Sequence, residues 1–231
     1  MGVFAWTVEI WSPQRQAGIT DYKYIEWYQE HPFEDDLKLL QWSDDALAGK
    51  GYVAWYTFEH PQLGTVELGG WDNLYAWRNP PPHLLEKEIA PFSDWIVWQA
   101  LISPLLTLHT LEVTPLGGDA YRVRVVAQNV GWLPTNVTER ANEKKMVRGV
   151  VFEIDLPQGA QVVNGDTRVI GPQLVGRSTT ASSPVGWGFR ADTADLAKCE
   201  WVVQAPQGST ATVTVRHPRA GVVRGSVTLE G

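Results

Sequence analysis

The chain has 231 residues, 44% hydrophobic and 19% charged, which excludes disorder or low complexity as its main state. That length holds one large domain or two of roughly 100 residues each. No apolar run reaches the roughly 18 residues of a bilayer-spanning helix, and the single cysteine, Cys199, cannot close an internal disulfide, so the fold must rest on its apolar core.

Charge and tryptophan divide the chain in two. Residues 1–108 carry a net charge of −9 and nine of the twelve tryptophans; residues 109–231 carry +2. Two compositions in one chain predict two structural units, 1–108 and 109–231. A net acidic, Trp-rich first part argues against nucleic acid as a partner, and nothing in the chain reads as a membrane segment. The opening MGVFAWTVEIW has neither a charged n-region nor a small-residue cleavage site, so it does not read as a secretory signal.

Residues 2–11 read as a strand, with Val3, Ala5, Thr7 and Glu9 on one face and Phe4, Trp6, Val8 and Ile10 on the other. Such an apolar run suits a strand buried on both faces, which needs neighbours that no earlier residue supplies. Ser12-Pro13 ends it. Thr20 is the expected N-cap of a helix carrying Tyr24, Trp27 and Tyr28, which Pro32 stops. A second, acidic helix is expected over 34–47, with Leu37 and Leu40 on one face and Gly49 as its stop. Residues 52–58 and 65–68 predict a hairpin with a six-residue connection. Residues 69–82 read as a loop, and a helix follows in which Pro91 predicts a kink or a division into two.

From Leu108 onward the pattern is all-β. Residues 121–129 alternate, with Tyr121, Val123 and Val125 inward and Arg122 and Arg124 outward. Further runs at 147–155, 160–163, 185–190, 199–204, 210–216 and 222–229 bring the total to seven or eight short strands, as in an antiparallel sandwich of immunoglobulin-like kind. Cys199 falls inside such a run and reads as an apolar filler.

Glu9 is the sharpest candidate for chemistry. A lone carboxylate in an apolar strand meets a large desolvation cost unless it faces a cleft, a cation or a proton partner, and strand ends facing a crevice are where open α/β sheets place active sites. His-x-x-Glu pairs occur at His31–Glu34, His83–Glu86 and His109–Glu112, but in contexts that do not predict convergence on a metal. Trp55, Trp71, Trp77 and the 95–98 run suit a core or a stacking platform for carbohydrate. Glycine-flanked Trp71-Asp72 is the best placed of these to line a substrate cleft. Asn136-Val137-Thr138 spells an N-glycosylation acceptor, and Lys144, Lys145 and Arg148 form a small basic cluster that reads as solvated loop.

GVFAWTVEIW, with Thr7 two residues before Glu9 and Ile10 after it, resembles the segment that carries the catalytic glutamate in carboxypeptidase A-like zinc carboxypeptidases. HPQLGTVELGGWD at 60–72, NPPPHLLEKEIAPF at 79–92 and NVGWLPTNVTE at 129–139 resemble, in the same order, segments of a bacterial subgroup whose catalytic domain is followed by a β-sandwich. The resemblance implies an α/β fragment over 1–108 (the last strand and helices of the catalytic domain plus a β-hairpin) and an immunoglobulin-like sandwich over 109–231. It implies hydrolysis of C-terminal peptide bonds with Glu9 as general base. The family's zinc ligands and carboxylate-binding guanidinium groups precede the glutamate strand. The resemblance therefore implies a zinc held by an N-terminal catalytic portion, none bound by this chain alone, and no activity without that portion. Two rivals stand beside it: a carbohydrate- or protein-binding module without catalysis, and a two-carboxylate hydrolase pairing Glu9 with Glu67 or Asp72.

Overall fold

The structure, a computed structural model, describes residues 2–180 and 194–230. It is mostly β, with ten strands in three sheets and a few helices. The described residues form two compact units, one of them Trp6–Ile96 and the other made of the residues on either side.

The expected opening strand, residues 2–11, does not form. Residues 3–9 are exposed and lie in no ladder. An apolar run becomes a strand only where a neighbour takes its backbone groups, and no described strand lies alongside. Ser12 Oγ instead caps a single turn, α1 (Pro13–Gln16), by accepting from Arg15 N at 3.1 Å. Helix α2 (Tyr24–Gln29) begins later than expected; Lys23, not Thr20, is its N-cap residue. Helix α3 (Phe33–Leu47) closes through Ala48 in the left-handed region, followed by Gly49. Its buried stripe is Asp35, Leu39, Trp42 and Ser43, and Leu37 faces solvent. The inward set is chosen by what Trp27 can touch: its indole Nε1 donates to Asp35 Oδ2 at 3.0 Å, and with Ile19 and Leu39 it makes the core of the Trp6–Ile96 unit.

The hairpin forms with longer strands and a shorter connection than expected: β1 (Tyr52–His60) and β2 (Gly64–Trp71) leave three residues between them. His60 Nδ1 accepts from Gln62 N and Leu63 N and organises that tight turn. Trp55 lies over Gly69, where an added Cβ would stand 2.6 Å from Trp55 Cα. The expected loop contains one π-helical turn, Asn73–Arg78, and α4 (Pro82–Leu101) runs as a single helix through Pro91. None of the residues of β1 or α4 is buried.

The second unit carries β3 (Leu106–Gly117), β4 (Ala120–Asn129), α5 (Glu139–Glu143), β5 (Val151–Asp155), β6 (Gln161–Asn164), β7 (Arg168–Ile170), β8 (Leu196–Gln204), β9 (Ser209–His217) and β10 (Gly221–Leu229). They pair antiparallel in two four-stranded sheets, β3-β4-β8-β6 and β10-β9-β5-β7. The alternation expected for β4 is present: Tyr121, Val123 and Val125 are buried opposite Val203, Trp201 and Cys199 of β8. Phe152 and Ile154 of β5, in register with Val215 and Val213 of β9, fill the same core from the other sheet. Asn129, buried, ties loops to this core: Oδ1 accepts from Leu105 N and Gly131 N, and Nδ2 donates to the Leu133 and Val175 carbonyls. The short β7 was not expected from the sequence, and the run expected at 185–190 lies outside the described residues.

Candidate functional site

Glu9 opens onto a cleft of about 930 Å³ whose walls include Tyr22, Tyr24, Tyr28, Trp77 and Arg78. Helical spacing builds one wall, because Tyr24 and Tyr28 sit four residues apart and share a face of α2. Their rings meet edge to face with centroids 5.1 Å apart, and Tyr28 meets Trp77 the same way at 6.3 Å. Buried Gln14 fixes the Tyr28 hydroxyl, donating to it from Nε2 at 3.0 Å, while Ser12 Oγ donates to Gln14 Oε1. The neighbouring Tyr28 hydroxyl, with a smaller contribution from the Glu9 carboxylate, raises the Tyr24 phenol above its ordinary pKa. Arg78 has no carboxylate partner among the described residues. The cleft thus presents one carboxylate, one guanidinium and phenol hydroxyls against aromatic walls, a set that can orient a polar substrate with an apolar part.

Behind this wall Trp27 stacks on His31, with centroids 4.2 Å apart at 17°. His31 Nδ1 faces the Trp27 carbonyl at 3.0 Å and Nε2 faces Asp36 Oδ1 at 3.1 Å, so both ring nitrogens meet acceptors. The Asp36 bond is the main reason the imidazole pKa is raised. Asp35, bonded by Lys38 and by the Trp27 indole, is held below the usual carboxylate range. This group secures the fold of the unit and takes His31 out of any pairing with Glu34.

The other sequence candidates are spread apart. Trp71 packs on Tyr52 at 5.2 Å and on Trp77 at 5.8 Å, and Asp72 Oδ1 caps the π-helical turn by accepting from Leu74 N and Tyr75 N. Neither Glu67 nor Asp72 lines the Glu9 cleft, so the two-carboxylate pairing has no common cavity. His109 engages Thr110 Oγ1, and Glu112 pairs with Arg124. Among the described residues no three His, Cys, Asp or Glu side chains are grouped to hold a metal, so the zinc implied by the resemblance has no cradle in them. In the second unit, Asn136 is buried with its Nδ2 donating to Thr138 O, and Cys199, buried, has its thiol pushed up to about 11 by desolvation.

Sequence reasoning missed Tyr22 and Arg78 as cleft residues, and it read Tyr24 and Tyr28 only as helix periodicity. The one signal available was the i,i+4 spacing of two phenols on a short helix.

Comparison with known proteins finds its match in the second unit. Residues 105–228 fit the family described as a domain of unknown function (DUF8731). The chain belongs to that family. No curated protein matches the chain. The DUF8731 domain takes in β3 to β10 and their shared core, and the Glu9 cleft lies outside it.

Proposed function

We propose that this chain is the C-terminal portion of a zinc metallocarboxypeptidase, with Glu9 as general base and the two-sheet unit as an appended immunoglobulin-like sandwich. The observation that carries the reading is the uncovered apolar surface of the Trp6–Ile96 unit. Trp6 is 62% exposed, Trp55 is 61% exposed, and Val8, Val53, Phe58, Leu85 and Ile89 are also open to solvent. The reading takes these side chains together as a docking face. In this reading the N-terminal catalytic portion covers it, supplies the metal ligands, and gives the extended residues before Glu9 the ladder partners of an α/β sheet.

Glu9 then takes a proton from the attacking water and returns it to the leaving amine, while the aromatic wall of its cleft and Arg78 help to orient the peptide. The test is to join the chain to that N-terminal portion and measure release of C-terminal residues from peptides. Zinc-dependent activity is expected, with Glu9→Gln lowering kcat by about 10²–10⁴-fold, the usual contribution of a general base. A loss smaller than about tenfold removes Glu9 from that role, and absence of zinc-dependent release overturns the reading. A second reading, a carbohydrate- or protein-binding sandwich module, is favoured by the family match falling on the two-sheet unit alone. Chelator-insensitive sugar or peptide binding by the chain would support it.

A further inference from the structure

A smaller cleft, about 240 Å³, opens on the outer face of the β10-β9-β5-β7 sheet, lined by Arg148, Arg168, Arg216, Val151, Val222 and Pro218 with buried His217 behind them. We propose that it binds a phosphate monoester, with the phosphoryl dianion between the three guanidinium groups and the organic part against Val222 and Pro218. It shares no residue with the Glu9 cleft and stands independently of the carboxypeptidase reading.

The strand register builds the cluster. Arg216 pairs with Val151 on one side and Val222 on the other, so all three point to the same face, and Arg168 pairs with Glu153 one step along that face. Glu153 receives Arg216 at 2.7 Å and Arg168 at 3.4 Å. One carboxylate against three guanidinium groups leaves about two positive charges uncompensated, the complement of a phosphoryl dianion; a single carboxylate ligand would leave one unmatched. The side chain of Arg148 has no carboxylate partner among the described residues, which leaves its fork of donors open to bidentate phosphate contact.

Arg148 is also placed, not loosely tethered. His217 Nε2 donates to the Arg148 carbonyl at 3.0 Å, and His217 Nδ1 accepts from Arg219 N at 3.1 Å. That pair of bonds defines the neutral Nε2–H tautomer and fixes the backbone at the cleft mouth. The next residue, Gly149, lies so close to Gly171 that an added Cβ would be 2.0 Å from its carbonyl oxygen. The cleft is a little smaller than the roughly 300–1,000 Å³ of drug-sized ligand sites, which suits a compact ester.

The experiment is calorimetric titration of the full chain with phenyl phosphate and, separately, inorganic phosphate, at pH 8 and about 0.15 M ionic strength, where the Debye length is about 8 Å. Saturable one-to-one binding of phenyl phosphate is expected, tighter than that of inorganic phosphate, which has nothing to lay on Val222. Arg148→Met should weaken it about tenfold or more, the worth of a charge-assisted contact. Arg122→Met, which removes the same charge from the other sheet, should change it by less than about twofold once the long-range field is screened. No saturable binding, or equal loss in the two variants, overturns the site. Equal affinity for the two ligands overturns the assignment to an ester.

Discussion

Leu39→Ala and Ile96→Ala remove similar side chains from the Trp6–Ile96 unit and should differ severalfold in cost. Leu39 is 1% exposed and packs with Ile19 and Trp27. Its truncation loses the transfer energy of the removed carbons and leaves a cavity, about 2–5 kcal/mol in all. Ile96 is 61% exposed, so only about two-fifths of its surface is withdrawn from water. Full burial of such a side chain is worth about 1.5–3 kcal/mol, so roughly 1 kcal/mol is at stake here. Alanine recovers part of that, about 0.4 kcal/mol, through its better helix propensity in α4. The expected costs are therefore about 3 kcal/mol and about 0.5 kcal/mol. Urea denaturation followed by tryptophan fluorescence, to which this unit contributes eight of the twelve emitters, reads both on one transition. Should Ile96→Ala cost as much as Leu39→Ala, α4 would already be covered in solution. The uncovered face on which the carboxypeptidase reading rests would then not exist in this chain.

Three further outcomes follow from the packing and the titrating groups. Gly69→Ala places a Cβ against the Trp55 backbone and should destabilise the β1–β2 hairpin by about 1–3 kcal/mol, seen as faster amide exchange in those strands. Cys199, with its thiol held at about 11, should resist iodoacetamide at pH 8 in the native chain and react on unfolding. His217 and His31 should tilt the two units oppositely with pH. Burial, the larger effect at His217, lowers its pKa, so the unfolded chain protonates first. The stability it supports is present above the unfolded value, about 6.5, and is lost as pH falls toward the folded value. Asp36 raises His31, whose contribution is complete below about 6.5 and is lost as pH rises through the folded value. Urea midpoints for each unit between pH 5 and 8 should show both slopes, and His217→Gln and His31→Gln should each flatten one of them.

The two-sheet unit was largely legible because its signal is local. Tyr121, Val123 and Val125 alternate with Arg122 and Arg124, and that period fixes which face is inward whatever the partner strand. Helix α3 and the hairpin were legible for the same reason, down to a few residues at their ends. Residues 2–11 were misread because an apolar run reports a wish for burial and says nothing of whether a neighbouring strand exists. The face of α3 was misread because Asp35, polar by type, is drawn inward by the Trp27 indole, a contact no periodicity count contains. The Glu9 cleft joins Tyr24 and Tyr28 to Arg78 across about fifty residues of chain, and the basic cleft draws one arginine from a loop and two from strands β7 and β9. Beyond the i,i+4 spacing of Tyr24 and Tyr28, neither grouping has a spacing that sequence alone could flag.

The contrast between the units also explains where the recognised domain ends. Among the described residues the two-sheet core runs from Leu106 to Leu229 and holds nineteen buried side chains, and the match to the DUF8731 family spans residues 105–228. The other cluster buries Ile19, Trp27 and Leu39. A domain recurs as a unit when its apolar surface is consumed internally, since only then is its stability indifferent to what is fused beside it. The Trp6–Ile96 unit buries Trp42 and Ala76 besides these three and leaves Trp6 and Trp55 exposed, so much less of its apolar surface is consumed internally. Val8, Trp55 and Ile96 are exposed in that unit, so reading residues 6–96 as a self-contained core would place them on the wrong side of the boundary between protein and water; the cover proposed above is what would bury them.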